Sequence, residues 1–300
     1  MVIGSTNTDM VIRTDHLPAP GETIIGENFF MSPGGKGANQ AVAAARAGGN
    51  VTFITKVGND VFGNKALALF EKENIDTSHV YVDPVSPSGV ALITVDKNGE
   101  NCIVVASGAN GTLGAEDLKN ASKSISESSF VLLQLEIPLA TIEYVSKLAV
   151  EYGIPVILNP APACALLDSL LRRVSIITPN ETEAEMLTGI KVHDIESAEK
   201  AALALTRKGV QSVIITMGAK GALILHDGTF THVPTVKVNA VDTTAAGDVF
   251  NGALVVALSE GAPMNEAVSF ACRAAAISVT RLGAQASAPF KSEIVEFQNT

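Results

Sequence analysis

The sequence predicts a doubly wound α/β fold: a mostly parallel sheet with helices on both faces, plus a small antiparallel β lid. Three observations carry this prediction. Short apolar, β-branched runs alternate with helix-length segments through the middle of the chain. Those runs are continuous rather than alternating, the pattern of strands covered on both faces. Two regions far apart in sequence break the pattern with β runs joined by turns instead of helices.

In chain order, the first strand occupies residues 1–4 and ends in Ser5-Thr6-Asn7-Thr8-Asp9. Residues 10–31 read as strands with turns, broken at Pro18-Ala19-Pro20-Gly21 and resuming from Thr23 to Phe30. A Gly-rich segment, Gly34 to Asn39, precedes an Ala-rich helix over 40–47. Residues 89–95 and 101–107 flank Asp96-Lys97-Asn98-Gly99-Glu100, and an Asn-Gly pair between two β runs is a strong hairpin signal. Segments 10–31 and 89–107 are expected to form one small sheet standing off the main body. Such a sheet serves as a lid, a dimer surface or both. Parallel strands follow at 130–135, 154–158, 174–177 and 212–216, separated by helical stretches at 139–152, 181–189 and 197–208. Residues 221–236 read as a hairpin around Asp227-Gly228 at the sheet edge, and a helix spans about 248–259. All 300 residues are assigned to a single domain.

Composition excludes several partners. With 47% apolar residues the chain has material for a packed core. Acidic residues outnumber basic ones 31 to 21, a net charge of −10, and no basic stripe is present. Nucleic acid and anionic membrane surfaces are therefore not expected partners. Any anionic small molecule must be held by local devices: backbone N–H groups, a helix N-terminus or a metal ion. Cys102, Cys164 and Cys272 are far apart and lack metal-ligand spacing, as expected of reduced thiols. The N-terminus reads as a strand rather than a signal peptide, and no apolar run approaches a membrane span. A soluble, cytoplasmic protein is expected.

In an open parallel sheet, ligands bind beyond the carboxyl ends of the strands. Those ends carry Asn7, Asp9, Glu136, Asn159, the segment Asn180-Glu181-Thr182-Glu183, and Met217-Gly218-Ala219-Lys220-Gly221. Taken singly these are cap and turn residues; taken together they suit a hydroxyl-rich ligand beside a phosphate. Two Gly-rich segments sharpen this. Gly34-Gly35-Lys36-Gly37-Ala38-Asn39 lets backbone approach a ligand closely, yet fits neither the Walker A nor the dinucleotide spacing. Asp242-Thr243-Thr244-Ala245-Ala246-Gly247-Asp248 leaves consecutive N–H groups open at a helix N-terminus, an anion hole with a carboxylate in the same turn.

These motifs resemble the ribokinase-like, or PfkB-type, carbohydrate kinase family. Gly34–Asn39 matches its N-terminal signature, Asp242–Asp248 its C-terminal signature, and Asn180–Glu183 its N-x-x-E segment, in the same order along nearly the whole chain. Asn7-Thr8-Asp9, Gly35–Asn39 and Leu133-Gln134-Leu135-Glu136 resemble the members that phosphorylate ribose.

The resemblance implies an ATP-dependent kinase acting on the ribose 5-hydroxyl. 2-Deoxyribose, another sugar or a nucleoside are the alternative acceptors. It implies Asp248 as base, with Ala245, Ala246 and Gly247 donating the anion-hole N–H groups. Asn7, Thr8, Asp9, Gly35, Lys36, Gly37, Ala38, Asn39 and Glu136 would surround the sugar. Asn180, Thr216, Met217, Gly218, Ala219, Lys220, Gly221, Gly247 and Cys272 would meet ATP. Glu183 would act near Mg²⁺ through water, and Asp242, Thr244, Ser278, Arg281, Gly283 and Ser287 would surround K⁺. Lys36 or Arg281 would offset the charge of ATP. The family often has Gly where this chain has Ala245, and some relatives have His or Asn at Cys272. The lid is expected to pair two copies into a homodimer, with Val11, Ile24, Ile93 and Val105 on its apolar face.

Overall fold

The apolar runs bury both of their faces. In the computed structural model, which describes residues 1–297, they form the centre of a nine-stranded sheet. The strands in chain order are β1 (Val2–Ile3), β2 (Asn7–Arg13), β3 (Asn28–Gly34), β4 (Phe53–Gly58), β5 (Val80–Asp83), β6 (Gly89–Val95) and β7 (Asn101–Ala106). They continue as β8 (Val131–Leu133), β9 (Val156–Leu158), β10 (Ile176–Ile177), β11 (Ser212–Thr216), β12 (Ala222–His226) and β13 (Thr229–Val233). The large sheet runs β13-β12-β11-β10-β9-β8-β1-β4-β5. It is parallel from β11 to β5, and the β12–β13 hairpin adds an antiparallel edge where the sequence predicts one.

Successive strand residues feed opposite cores, as the two-residue period requires. Val2, Leu132 and Ile157 pack toward the helices Lys36–Arg46, Ala246–Ser259 and Met264–Ser278. Ile3, Leu133 and Leu158 pack toward the helices Leu139–Glu151 and Ile195–Arg207. On the first face, two helices approach with almost nothing between them. A Cβ on Gly252 would come within 2.8 Å of the Gln40 carbonyl oxygen and the Ala44 nitrogen.

The second sheet, β3-β2-β6-β7, is two antiparallel hairpins joined by a parallel β2–β6 pair. Its first strand corrects one expectation. Asn7 to Asp9 do not form a loop at the rim of the main sheet; they open β2, with Asp9 opposite Ser32 on one side and Ala91 on the other. Asn and Asp favour turns, but pairing on both sides overrides that preference. Conversely, most of 14–27 lies outside the strands, so Ile24 sits in a connection. Of the apolar residues expected on this sheet, Val11 is buried and Ile93 half-buried, while Val105 is exposed. Phe29, Phe30, Leu92, Ile103 and Val104 are exposed beside it.

Among the elements that the sequence reading leaves out are β4, β5 and the longer helices Val61–Lys72 and Met264–Ser278. In β4 the polar pair Thr55-Lys56 interrupts the apolar run. The Val61–Lys72 helix has a readable start, since the Asp60 carboxylate accepts from the N–H groups of Phe62 and Gly63. No helix among the described residues is long and apolar enough to cross a membrane.

Candidate active site

The site forms where the N-termini of two helices meet beyond the main sheet. Ala245 precedes the Ala246–Ser259 helix in the left-handed region, at φ 60° and ψ 12°. This turn swings Ala246 and Gly247 into the wall of a cavity of about 160 Å³. A Cβ on Gly247 would meet nothing within 4 Å, so the turn faces open space.

Asp248 lies at the bottom of that cavity, buried, with both oxygens engaged. Asn39 Nδ2 donates to Oδ2 at 2.9 Å and Gln40 Nε2 donates to Oδ1 at 2.9 Å. Gln40 is fixed in turn: Gln134 Nε2 donates to its Oε1 at 2.5 Å, and its own Nε2 also reaches Asn159 Oδ1 at 2.9 Å. Burial pushes the Asp248 carboxyl above the usual carboxylate range, and Lys36, Asn39 and Gln40 oppose that rise. The result is a desolvated carboxylate aimed by neutral amides.

A second group of polar residues stands beside it. Asp9 on β2 is pushed up to about 6, by burial first and then by the nearby charges of Glu136 and Asp248. Lys36 opens its helix among Asp248, Glu136, Glu183 and Asp9; burial alone would lower its pKa, but these carboxylates raise it. Among the described residues, Lys36 has no carboxylate within 4.0 Å, so its charge is shared rather than committed. Glu136 anchors the Gly-rich turn, accepting from Ser5 Oγ at 2.5 Å and from the Lys36 N–H at 3.0 Å. Asn7 Oδ1 accepts from Asn110 Nδ2 at 2.8 Å, which fixes the start of β2. Among the described residues, Asn39 Oδ1 is buried with no hydrogen-bond partner.

Gly35 has φ 89°, and a Cβ there would lie 2.7 Å from the Asn7 nitrogen. The glycine is therefore demanded by the protein's own backbone, in addition to any ligand. Gly37 and Ala38 are buried within the helix. Thr8 alternates to the face of β2 away from Asp9 and lines a different cavity.

On its far side the Asp248 cavity is lined by Asn180, Glu183 and Thr216. Asn180 caps the Glu181–Thr188 helix: its Oδ1 accepts from the Glu183 N–H, and Glu183 Oε2 accepts from the Asn180 N–H, both at 2.8 Å. Burial raises the Glu183 carboxyl, against the lowering effect of that backbone N–H and of Lys36. Thr216 ends β11, and Met217 leads into a short turn at Gly218–Lys220 that closes on Gly221. The Lys220 ammonium points away along the surface, donating to the His193 carbonyl at 2.7 Å. Cys272 is buried, and that burial pushes its thiol up to about 12, away from the thiolate form.

Asp242 ties two loops together behind the turn. Its Oδ1 accepts from the Thr244 N–H and its Oδ2 from the Gly283 N–H, each at 2.9 Å. The Ser278 and Ser287 hydroxyls donate to the Ala275 and Ala284 carbonyls. Arg281 forms an ion pair with Glu293 of the Lys291–Glu296 helix. Of the two cations expected to offset ligand charge, Lys36 therefore lines the Asp248 cavity and Arg281 is committed elsewhere. No group of three or more His, Cys, Asp or Glu side chains among the described residues is arranged to hold a metal ion.

Sequence reasoning names Ser5 and Gln134 without giving either a role, and it misses Gln40, Asn110 and Asn251. Gln134 carried a signal, as a polar residue inside the apolar run 130–135. Asn251 Nδ2 donates to the Gly247 carbonyl, and its Oδ1 accepts from Thr178 Oγ1 at 2.7 Å, bracing the turn from below.

A parallel α/β sheet with a buried carboxylate one residue beyond an open turn of backbone N–H groups, next to a cluster of carboxylates and one ammonium, has the parts that a group-transfer site needs. Comparison with known proteins narrows the class. The model of the pfkB family of carbohydrate kinases matches residues 1–291. A ribokinase of Haemophilus influenzae is 47% identical over 296 residues, covering 99% of this chain and 97% of that one. A deoxyribokinase of Salmonella typhi is 40% identical over 297 residues, covering 99% and 97%. The structure of Arabidopsis thaliana ribokinase complexed with ribose and ATP superposes with a TM-score of 0.93 at 31% identity, covering 99% and 98%. The chain belongs to the pfkB carbohydrate kinase family.

Proposed function

We propose that this protein transfers the γ-phosphoryl group of Mg·ATP to the 5-hydroxyl of ribose. The observation that carries the reading is Asp248: buried, aimed by two amides, and one residue beyond an open turn of backbone N–H groups. An alcohol is far too weak an acid for full deprotonation by a carboxylate, so the proton passes to Asp248 late, as the new P–O bond forms. Phosphoryl transfer is mainly positioning and charge stabilisation. Ala245, Ala246 and Gly247 supply N–H groups to the transferred phosphoryl, and Lys36 supplies a positive charge in a protein of net −10.

Ribose lies between β2 and the Gly-rich turn in this reading, with Asp9 accepting from its hydroxyls and Lys36 donating to them. Asn7, Asn39 and Glu136 complete the seat. ATP lies along Asn180, Thr216–Gly221 and the Cys272 region. Mg²⁺, when bound, neutralises phosphate charge. A bound Mg²⁺ would be held mainly by phosphates and water, and Glu183, which lines the same cavity, would reach it through water. K⁺ suits the oxygen-rich loops of Asp242, Thr244, Ser278, Arg281, Gly283 and Ser287, largely through backbone carbonyls. The small sheet acts as the lid, and its exposed Phe29, Phe30, Leu92, Ile103, Val104 and Val105 are the surface through which two copies pair. The reduced thiols of Cys102, Cys164 and Cys272 suit the cytoplasm.

2-Deoxyribose is the competing acceptor, because a deoxyribokinase is 40% identical to this chain. Ribose is favoured by the pairing of Asp9, which only accepts, with Lys36, which only donates, across vicinal hydroxyls. Removing the 2-hydroxyl leaves part of that set unpaired, at about 1–3 kcal/mol. The deciding experiment is a coupled kinase assay across ribose, 2-deoxyribose, fructose and adenosine with saturating Mg·ATP, with and without K⁺. We expect kcat/KM for ribose to exceed that for 2-deoxyribose by roughly 10- to 100-fold, and K⁺ to raise the rate where Na⁺ does not. Equal or better turnover of 2-deoxyribose overturns the ribose assignment.

A further inference from the structure

A second cavity, of about 320 Å³, lies at the start of β2, beside Asn7 and Thr8, and along Met31 to Gly34 of β3. Thr8 and Met31 of the small sheet form one wall, and Phe62, Lys65 and Leu69 of the Val61–Lys72 helix form the other. Gln285 completes it from the loop between Gly283 and Ser287. Its volume sits at the lower end of the roughly 300–1,000 Å³ typical of small-ligand pockets.

Three features point to an occupant. Gln285 is only 4% exposed, yet its Oε1 has no hydrogen-bond partner and its amide nitrogen donates to no acceptor among the described residues. A buried amide oxygen without a partner is uncommon, because its desolvation goes uncompensated. The backbone that carries it is held in place, since the Gln285 main-chain carbonyl accepts from the Arg46 guanidinium at 2.9 Å. Next, Lys65 lines the cavity and makes no ion pair with any described carboxylate, although acidic residues outnumber basic ones 31 to 21. Finally, Met31, Phe62 and Leu69 give the space an apolar wall. Together these recognise a molecule with an apolar body, one negative charge, and an adjacent group that hydrogen-bonds an amide.

We propose that this cavity is a second ligand site, for a small amphipathic carboxylate bearing a hydroxyl or keto group next to its carboxyl. The carboxylate pairs with Lys65, the neighbouring oxygen meets the Gln285 amide, and the aliphatic body lies against Met31, Phe62 and Leu69. The site is distinct from the Asp248 cavity but shares β2 with the Asp9 cluster, and its β3 wall runs on through Gly34 into the turn before Lys36. An occupant therefore braces the root of the small sheet against the main body. By linkage, it changes affinity for anything that the sheet covers, and is changed in return by the same factor.

The test uses the full chain and 2-hydroxy-4-methylpentanoate as probe, read by ligand-observed saturation-transfer NMR and calorimetry. We expect millimolar or tighter binding that persists in saturating ribose. Lys65→Gln, a surface change that leaves the core intact, should weaken it at least fivefold, and Ala66→Phe, which fills the cavity, should abolish it. The neutral analogue 4-methylpentane-1,2-diol should bind at least fivefold more weakly than the acid. Four results overturn the proposal: no binding at about 10 mM probe, displacement of the probe by ribose, undiminished binding in Lys65→Gln, or equal binding of the diol. None of these readouts requires kinase activity, so failure of the ribose assignment leaves the test intact.

Discussion

At the scale of single residues, the site is a contest over where negative charge is tolerated. Asp248, Asp9, Glu136 and Glu183 all act on one another or on Lys36. Asp248→Asn should leave sugar and nucleotide binding intact while kcat falls by roughly 10²–10⁴, the usual contribution of a positioned base; retention of more than about a third of the wild-type rate would reduce Asp248 to a helix residue. Gln40 extends this series. Gln40→Leu removes the donor on Asp248 Oδ1, so the carboxyl pKa should climb and the acid limb of the kcat–pH profile should move to higher pH. Lost packing alone would lower the rate at every pH without moving the limb. Asp9 gives a separate pH signature. A sugar that donates hydrogen bonds to it favours the ionised form, so affinity falls as pH drops through its pKa of about 6. KM for ribose should rise roughly tenfold between pH 7 and pH 5, and a flat KM would show that Asp9 does not meet the sugar as a carboxylate.

At the scale of elements, the turn at Ala245 is the most exposed to substitution. Alanine in the left-handed region costs about 1–2 kcal/mol relative to a right-handed conformation. Glycine adopts it freely, at an entropic cost in the unfolded chain. Ala245→Gly should therefore change stability by less than about 1 kcal/mol and keep activity. Ala245→Val, β-branched at φ 60°, should lower Tm by several degrees and cut kcat together. Activity at the wild-type level in the valine variant would mean that the turn does not set the anion hole. Elements also show what the sequence made legible. The runs 130–135, 154–158, 174–177 and 212–216 all became parallel strands, because continuous burial leaves a one-dimensional trace. The Gly-rich and 242–248 segments could be read because glycine and small residues at a helix start have few other uses. β2 was misplaced because Asn7 and Asp9 look like loop residues until partners on both sides are known. Gln40 escaped notice because its role depends on Gln134 and Asp248, 94 and 208 residues away.

At the scale of the whole molecule, the small sheet is the part whose surface the chain itself leaves uncovered. Phe29, Phe30, Leu92, Ile103, Val104 and Val105 are exposed on it. Both edge strands, β3 and β7, offer unpaired backbone groups, a hazard that association removes. Sedimentation should find a dimer at micromolar concentration, and Val104→Glu with Leu92→Lys should return a monomer that remains folded. A wild-type monomer at that concentration would leave the sheet as a lid working alone.

The contact at Gly252 has a consequence for how this protein divides stillness from motion. Where backbone touches backbone, two helices cannot slide without opening a void or colliding, so they form a single rigid piece. Asn39 and Gln40 ride on one helix and Asp248 on the other. Under the proposed reading, the group that accepts the proton is set by the core before any substrate arrives. Closure over the sugar would then fall to the β2 and β3 side, and the free energy of sugar binding would go into bringing that side down on a floor already formed.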